Sequence, residues 1–173
     1  MKNRLPTKGR NALAALISGG KDSLYAAYLM AQQGFSIDYI VTIISENLES
    51  YMFHVPNANL VKSQAEAMNM SIIEKATKGN KEKELEELKS ALIEIKNNIN
   101  GVVSGAVLSD YQNSRIEAIC EDLKLKSFAP LWRKSQEMLL NDMIGVGFEI
   151  IITSVAAHCF DETWLGRKMD DEC

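Results

Sequence analysis

The sequence predicts an α/β protein built on a doubly wound, mostly parallel β-sheet. Short apolar runs rich in β-branched residues alternate with amphipathic, helix-like stretches along the 173 residues. A glycine-rich turn joins the first apolar run to the first helical stretch. Because ligands bind beyond the carboxyl ends of the strands in such sheets, the loops at those ends are the first place to look for a functional site.

The strands are predicted from apolar and β-branched composition, and each is bounded by turn residues. In chain order, the predicted strands cover residues 11–17, 37–44, 71–75, 101–105, 127–129 and 148–155. Pro130 ends the fifth of them, since proline cannot donate to a sheet.

The helices are predicted from apolar residues at three- and four-residue spacing. In chain order, the predicted helices cover residues 22–33, 60–68, 81–99, 114–123 and 135–146. Gly34 ends the first helix, and Ser135 is a suitable N-cap for the last. The charged residues of the third helix are predicted to form mostly a solvated face, which as a set carries no function.

Length and composition favour one domain, residues 1–173, in which residues 161–173 form an acidic tail. The formal net charge of −4 argues against a broad nucleic-acid-binding surface. No apolar run approaches the roughly 20 residues that a membrane span needs, and the first residues do not resemble a signal peptide. Three cysteines without a CxxC pair favour a reducing, cytoplasmic environment and argue against both a disulfide framework and a zinc site.

The strongest motif lies between the first strand and the first helix and consists of Ser18, Gly19, Gly20, Lys21, Asp22 and Ser23. Glycines at a helix N-terminus expose backbone N–H groups that favour a phosphate, and the lysine adds a positive charge. The spacing differs from that of a Walker A loop and of the dinucleotide-binding fingerprint. The alternative is a plain glycine turn capped by Asp22 or Ser23.

Two further loops follow carboxyl ends of predicted strands. Residues 45–57 form a long, aromatic connection, in which His54 is more typical of a packed or solvated residue than of a catalytic one. Residues 105–117 carry a cluster of polar side chains that includes Tyr111, Gln112 and Arg115. The alternative for this cluster is an ordinary helix start, capped by Ser109 or Asp110.

Taken in order along the chain, the phrases SGGKDS, ENLESYMFHVPNAN, TKGNKEKELEELK, SGAVLSDYQNSRIEAICEDLKLK, APLW and DETWLGR resemble the diphthine–ammonia ligase family. The resemblance runs from Ala12 to Arg167. The glycine loop marks the wider superfamily of N-type ATP pyrophosphatases, or PP-loop proteins, whereas YMFHVPN, SDYQ and WLGR are more restrictive. The resemblance implies a Rossmann-like adenine nucleotide alpha hydrolase fold of the HUP type.

The resemblance also implies an activity. Family members use ATP, Mg²⁺ and ammonium to convert diphthine on translation elongation factor 2 to diphthamide, through an acyl-adenylate that releases AMP and pyrophosphate. The protein partner would then be elongation factor 2, with no nucleic acid and no membrane, and a homo-oligomer is compatible with the sequence. Family members continue past WLGR into a Gly-Glu-rich phrase, so the 173 residues are expected to be short for the family, to bind ATP or AMP, and to turn over slowly or not at all.

Residue roles follow from the same resemblance. The six residues from Ser18 to Ser23 would hold the pyrophosphate part of ATP, and adenine would lie beside Thr42 and Ile43, read by their backbone groups. Glu84, Tyr111 and Gln112 match family positions on the substrate side and are the predicted catalytic residues. No residue is predicted to be a metal ligand.

Two alternatives to this ligase remain open on the sequence. One is another ATP pyrophosphatase, such as a tRNA-modifying enzyme, although such enzymes commonly carry basic or zinc-binding segments that this sequence lacks. The other is a non-catalytic module that binds adenine nucleotides. Formation of AMP from ATP separates the enzymes from the module.

Overall fold

The structure, a computed structural model, describes residues 11–45, 58–77, 81–155 and 161–169. Five parallel strands make one sheet. They are β1 (Ala12–Leu16), β2 (Ser36–Ser45), β3 (Ser71–Thr77), β4 (Gly101–Val103) and β5 (Lys126–Phe128). Their order across the sheet is β3-β2-β1-β4-β5, which confirms the predicted doubly wound, parallel α/β fold.

The helices alternate with the strands. They are α1 (Lys21–Gln32), α2 (Ala58–Ala67), α3 (Lys81–Ile95), α4 (Asp110–Asp122) and α5 (Gln136–Gly145), followed by a 3₁₀ turn at Glu162–Trp164. From β1 the chain moves outward to β2 and β3, and then returns to place β4 on the other side of β1. Because βαβ crossovers are right-handed, α1 and α2 cover one face of the sheet, whereas α3 and α4 cover the other.

The core on the α3–α4 face explains why the long amphipathic helix forms there. Leu88, Leu92 and Ile95 are no more than 1% exposed and pack with Tyr39 and Val41 of β2. The stripe that they form is the one that the spacing predicted. The helix ends at Ile95 rather than at residue 99, and Ile99 is buried just before β4.

The order of the strands reverses between β1 and β4, since β1 leads to β2 on one side and β4 lies on the other. A topological switch point of this kind leaves a crevice outside the carboxyl ends of the two strands, where ligands bind in open α/β sheets. The loops that follow β1 and β4 therefore border the crevice.

The predicted last strand, residues 148–155, is wrong. In its place the structure has a single antiparallel bridge between Ile151 and Lys168. Ile152 donates its N–H to the carbonyl oxygen of Arg167, and Met169 donates to that of Ile150. The β-branched run thus does form an extended segment, but it pairs with the tail and not with the sheet, since strand propensity does not specify the pairing partner.

The chain divides into two compact units, residues 1–132 and residues 133–173. The first unit holds the five-stranded sheet and α1–α4. The second holds α5 and the pairing between the segments around Ile151 and Lys168. Organisation as a single ATP pyrophosphatase domain stays a prediction.

Candidate functional site

The glycine loop takes a specific conformation between β1 and α1. Gly19 has a φ of 84°, in the left-handed region that glycine adopts without strain. The Ser23 hydroxyl donates a hydrogen bond to the Gly20 carbonyl oxygen at 2.9 Å and accepts one from the Ser18 N–H at 3.3 Å. Ser23 therefore closes the loop on itself, which fixes the direction in which the first N–H groups of α1 point.

Helix α1 begins without a side-chain cap. Its N-cap residue is Gly20, and among the described residues no side chain accepts a hydrogen bond at that position. The first N–H groups of a helix have no partner within the helix, and together with the helix dipole they favour an anion. The anion-binding role of the loop stays a prediction, to which the missing side-chain cap gives a physical basis.

A contact from α2 also holds the loop. The Gln64 side-chain amide donates to the Gly19 carbonyl oxygen at 3.3 Å, 45 residues away in sequence. The same amide's Oε1 atom is buried without a hydrogen-bond partner among the described residues. Sequence analysis missed Gln64, because nothing local marks a helical glutamine as a partner of a distant loop.

The loop after β4 packs directly against the start of α1. A Cβ atom added at Gly105 would lie 2.6 Å from the Ser23 nitrogen and 2.7 Å from the Ser23 Cα, both backbone atoms. Only glycine fits such an approach without displacing the backbone. Gly105 therefore lets the β4 loop and the glycine loop meet at the switch point.

A pocket of about 200 Å³ lies at this meeting place. Its walls come from the end of β1, the glycine loop, the start of α1, β2, the β4 loop and α4. The lining residues are Leu16, Ile17, Ser18, Gly20, Asp22, Ser23, Val41, Ile43, Ser104, Gly105, Ala106, Gln112 and Ile116. The polar groups of the lining come from the glycine loop, Ser104 and Gln112.

The pocket brings together six of the predicted site residues: Ser18, Gly20, Asp22, Ser23, Ile43 and Gln112. Five others are not among the lining residues: Gly19, Lys21, Thr42, Glu84 and Tyr111. Thr42 is 3% exposed, and Val41 and Ile43 on either side of it line the pocket. Since successive side chains of a strand point to opposite faces, the Thr42 side chain belongs to the other face of β2.

Lys21 is engaged by its neighbour in the sequence. Its Nζ atom lies 2.8 Å from Asp22 Oδ1, and both side chains are about 40% exposed. An exposed ion pair of this kind contributes little to stability, so either partner is available to a ligand at small cost.

Glu84 is the least ordinary residue of the predicted set. It is fully buried, and neither of its carboxylate oxygens has a hydrogen-bond partner among the described residues. It lies one helical turn before Leu88, on the stripe of α3 that faces the core. Burying a carboxylate without a partner is costly, and such groups in native proteins are usually explained by a function or by a bound ion.

The position of Glu84 follows from the path of the chain. Helix α3 begins after β3 has reached the carboxyl edge of the sheet, so its first turn, which contains Glu84, lies at that edge. The core cluster below it includes Leu16, Val41 and Ile43, which also line the pocket. Glu84 therefore shares both the edge and the face of the sheet with the pocket.

Tyr111 and Gln112 lie in the first turn of α4, which begins at Asp110, four residues before its predicted start. The Ser109 hydroxyl caps this helix by accepting from the Gln112 N–H at 3.3 Å. The Arg115 guanidinium lies 3.5 Å from the centre of the Tyr111 ring, and Tyr111 packs against the core cluster. The cap and the packing together orient this turn at the pocket.

Ser104 is a pocket residue that sequence analysis did not single out. It is 3% exposed, and its hydroxyl oxygen has no hydrogen-bond partner among the described residues. It directly follows β4, so the rule that ligands bind at the carboxyl ends of strands would have identified it.

Comparison with known proteins gives the family. Residues 11–127 match the model described as the diphthamide synthase N-terminal domain, and every residue that lines the pocket falls within that range. The chain belongs to the diphthamide synthase family. The resemblance stated from the sequence motifs is thereby confirmed.

The relatives of this diphthamide synthase family member carry one name. The diphthine–ammonia ligase of Mus musculus is 35% identical over 91% of this chain, which spans 67% of that protein. The one of Homo sapiens is 32% identical over 91% of this chain and likewise spans 67%. The one of Schizosaccharomyces pombe is 29% identical over 89% of this chain and only 28% of its own length. The prediction of a ligase family is confirmed by these names.

Solved structures agree on the fold. A chain described as a predicted subunit of a tRNA methyltransferase from Methanocaldococcus jannaschii superposes with a TM-score of 0.53 at 15% identity, over 84% of this chain and 80% of its own. A tRNA thiolase from Methanococcus maripaludis superposes with a TM-score of 0.51 at 20% identity. The superposition covers 82% of this chain and 58% of the thiolase chain. At these identities the likeness concerns the fold alone.

Other kinds of site find no support in the described part of the chain. It contains no group of three or more His, Cys, Asp or Glu side chains arranged to hold a metal ion, and no helix long and apolar enough to cross a bilayer. Burial raises the pKa of the Cys120 thiol to about 11, so this cysteine stays protonated at neutral pH and is a poor nucleophile. The aromatic segment at 45–57, with His54, lies almost wholly outside the described residues.

Proposed function

We propose that this chain catalyses the ATP-dependent amidation of diphthine on translation elongation factor 2, which forms diphthamide, AMP and pyrophosphate. The names of the relatives support the reaction, and the pocket at the uncapped start of α1 supports the use of a nucleotide. The observation that carries the proposal is that the family match contains every residue of that pocket. Elongation factor 2 works in the cytoplasm, which is therefore the proposed location.

The chemistry requires activation of a carboxylate. Ammonia cannot displace oxide from a carboxylate, so the oxygen of the diphthine carboxylate first attacks the α-phosphorus of ATP and pyrophosphate leaves. Ammonia, formed when ammonium loses a proton, then attacks the acyl carbon of the adenylate and AMP leaves. The enzyme contributes by holding the reacting groups in line and by stabilising the charge that develops on the phosphates.

The glycine loop has the groups needed to hold the β- and γ-phosphates. The free N–H groups at the start of α1 and the Ser18 hydroxyl donate hydrogen bonds, and Lys21 supplies a positive charge. Adenine is assigned to the side of β2, where Ile43 lines the pocket and the backbone beside Thr42 and Ile43 offers polar groups. A backbone reading of adenine agrees with the Thr42 side chain lying on the other face.

The pocket is also compatible with Mg²⁺. This ion is usually held by one or two carboxylates together with phosphate oxygens and water, and Asp22 is the only carboxylate among the lining residues. Asp22 would hold the ion, which would offset the negative charge that develops on the phosphates. Lys21, released from its pair with Asp22, would then be available to the phosphates.

We assign Glu84, Tyr111 and Gln112 to diphthine and ammonium. Gln112 lines the pocket, and Tyr111 precedes it in the first turn of α4. Glu84 lies at the same edge and face of the sheet, and its unpartnered carboxylate is suited to a cationic or hydrogen-bond-donating substrate group.

The reaction is tested by measuring release of AMP from ATP with elongation factor 2 that carries diphthine. We expect AMP and diphthamide to form in equal amounts, and only when ammonium is present. AMP formation that ignores the state of elongation factor 2 would indicate a different ATP pyrophosphatase, and ATP binding without AMP would indicate a non-catalytic module.

The substrate-side assignment is tested with Gln112→Ala and Tyr111→Ala, with Ser114→Ala, an exposed residue of the same helix, as the matched control. We expect the first two variants to bind ATP nearly as the parent does and to amidate diphthine more slowly. An equal and large loss of ATP affinity in both would instead place these residues in the nucleotide site.

A further inference from the structure

A second cleft opens at the opposite edge of the sheet, where the strands begin. Its volume is about 480 Å³, within the range of pockets that bind small molecules, about 300–1,000 Å³. Its lining comes from the residues just before β1, β4 and β5, from β1 and β5 themselves, and from the chain that follows α1, α3 and α4. None of the residues that line the glycine-loop pocket lines this cleft.

The wall of the cleft on the β5 side is aromatic. The rings of Phe35 and Phe128 pack with their centres 5.2 Å apart. A Cβ atom added at Gly101 would lie 2.8 Å from the Phe128 ring and 2.6 Å from the Lys126 carbonyl oxygen, so glycine is required for β5 to approach this closely. Leu123 and Leu125 complete a half-buried apolar surface that can receive a flat, apolar group.

The rim of the cleft is cationic. Lys96, Lys124 and Lys126 line it with exposed side chains, and none of its described lining residues is acidic. Two of these lysines follow the C-termini of α3 and α4, where a lysine also offsets the helix dipole. Each helix dipole amounts to roughly half a negative charge, and the carboxylate of Asp122, which is paired with Lys89, also attracts Lys96. The three lysines outweigh the two dipoles, so the rim keeps a net positive charge.

Asn100 supplies the third feature. Its backbone is fixed between two strands, since its N–H donates to the Ala12 carbonyl oxygen at 2.7 Å and its carbonyl oxygen accepts from the Lys126 N–H at 3.1 Å. Its side-chain Oδ1 is nevertheless buried without a hydrogen-bond partner among the described residues. A buried amide oxygen without a donor is uncommon, and a ligand that offers an O–H or N–H group would satisfy it.

We propose that this cleft binds a small organic anion, one that carries a phosphate, sulfate or carboxylate on a flat apolar body. The lysines bind the charged group, the Phe35 and Phe128 wall contacts the flat part, and Asn100 accepts a hydrogen bond from the ligand. The site is separate from the proposed catalytic pocket and does not depend on the proposed function.

The test uses phenyl phosphate, which has the anion and the flat ring but no donor for Asn100, to probe the lysines and the aromatic wall, and ¹H–¹⁵N spectra of the labelled protein are the readout. We expect saturable shifts of the amides of Asn100, Lys126 and Phe128, while the Gly20 amide at the other pocket stays unchanged. Benzyl alcohol keeps a flat ring and lacks the charge, whereas inorganic phosphate keeps the charge and lacks the ring. Each is expected to bind about tenfold more weakly than phenyl phosphate. Benzyl alcohol loses the ion pairs with the lysines, and inorganic phosphate loses about 60 Å² of apolar contact.

Variants of the rim identify the groups responsible. The double variant Lys96→Gln/Lys126→Gln changes exposed side chains, so it should fold normally and bind phenyl phosphate at least about tenfold more weakly. The charge-conserving variant Lys96→Arg/Lys126→Arg should restore binding. Lys62→Gln on α2, an exposed lysine outside the cleft, is the matched control and should bind as the parent does.

Three results would overturn the proposal. Absence of saturable shifts at the cleft amides would show that no such site exists. Equal affinity in the Lys96→Gln/Lys126→Gln variant and the parent would remove the lysines from the site. Inorganic phosphate binding as tightly as phenyl phosphate would mean an adventitious ion only.

Discussion

Helices α1 and α4 both begin at the carboxyl edge of the sheet, yet their first turns are completed in different ways. Helix α4 is capped inside the protein, by the Ser109 hydroxyl that accepts from the Gln112 N–H. Helix α1 begins at Gly20 without a side-chain cap among the described residues. The two starts lie next to one another, because Gly105 in the β4 loop packs against Ser23 of α1.

The difference separates two uses of a helix N-terminus. A capped terminus is a structural element, since its N–H groups already have partners. An uncapped terminus that lines a pocket keeps its N–H groups available for a ligand, which then serves as the cap. We therefore propose that the start of α1 binds the ligand and that the start of α4 positions side chains beside it.

The largest effect is expected where the two starts touch. Gly105→Ala would place a methyl group 2.6 Å from the Ser23 nitrogen, so the backbone of one loop must move. We expect a loss of about 2 kcal/mol in the free energy of unfolding, typical of overpacking, together with weaker ATP binding. Urea denaturation and calorimetry measure the two effects.

Gly145→Ala in α5 is the control for this change, because nothing lies within 4 Å of a Cβ atom added there. Alanine is the better helix former, so this variant should gain as much as about 1 kcal/mol. If Gly105→Ala were as stable as the parent and bound ATP equally well, the two starts would not be coupled.

The next largest effect concerns the open start. A Cβ atom at Gly20 would meet only the Ser18 hydroxyl, at 3.6 Å, so a side chain there fits the free protein. Gly20→Val should nevertheless keep the phosphates from the N–H groups of α1 and cost about 2 kcal/mol of binding, or about thirtyfold in the ATP dissociation constant. Calorimetric titration measures the affinity, and ATP binding of parental strength would disprove the loop assignment.

A smaller effect is expected at the capped start. Ser109→Ala removes the acceptor for the Gln112 N–H and should lower the free energy of unfolding by about 1 kcal/mol. Ser109→Asp retains a capping oxygen and should stay close to the parent. ATP affinity should change little in either variant, because Ser109 does not line the pocket. A loss of ATP affinity as large as that expected for Gly20→Val would contradict the distinction between the two helix starts.

The last effect appears only in alkaline solution and lies further along α4. Because it is buried, the Cys120 thiol has a pKa of about 11 in the folded protein, against 9.0 for an unperturbed cysteine thiol. Between these values the unfolded chain binds fewer protons than the folded one, so raising the pH favours unfolding. The free energy of unfolding of the parent should therefore exceed that of Cys120→Ala by less at pH 11 than at pH 9. Thermal unfolding at the two pH values measures this difference, and a difference that does not change with pH would contradict the prediction.

The sequence predicted the strands of the sheet and the glycine loop because both have local signals, namely β-branched runs and a turn before a helix. It placed the start of α4 four residues late, since polar residues such as Asp110 and Gln112 resemble a loop until the Ser109 cap is seen. It could not predict the contact of Gln64 with Gly19 or of Gly105 with Ser23, because both join residues far apart in the chain. For the same reason, the segment around Ile151 was assigned to the wrong partner.

The pairing of Lys21 with Asp22 has a consequence for the speed at which the pocket fills. In the free protein the two charges of the loop cancel at 2.8 Å, and the chain as a whole carries a net charge of −4. Such a surface offers no long-range attraction to an anionic nucleotide, so encounters are set by diffusion and not by steering. If the loop holds a nucleotide as proposed, the attraction of Lys21 strengthens only after the nucleotide has arrived and Asp22 has paired with another cation. Lys21 would then control the residence time of the nucleotide rather than its rate of arrival.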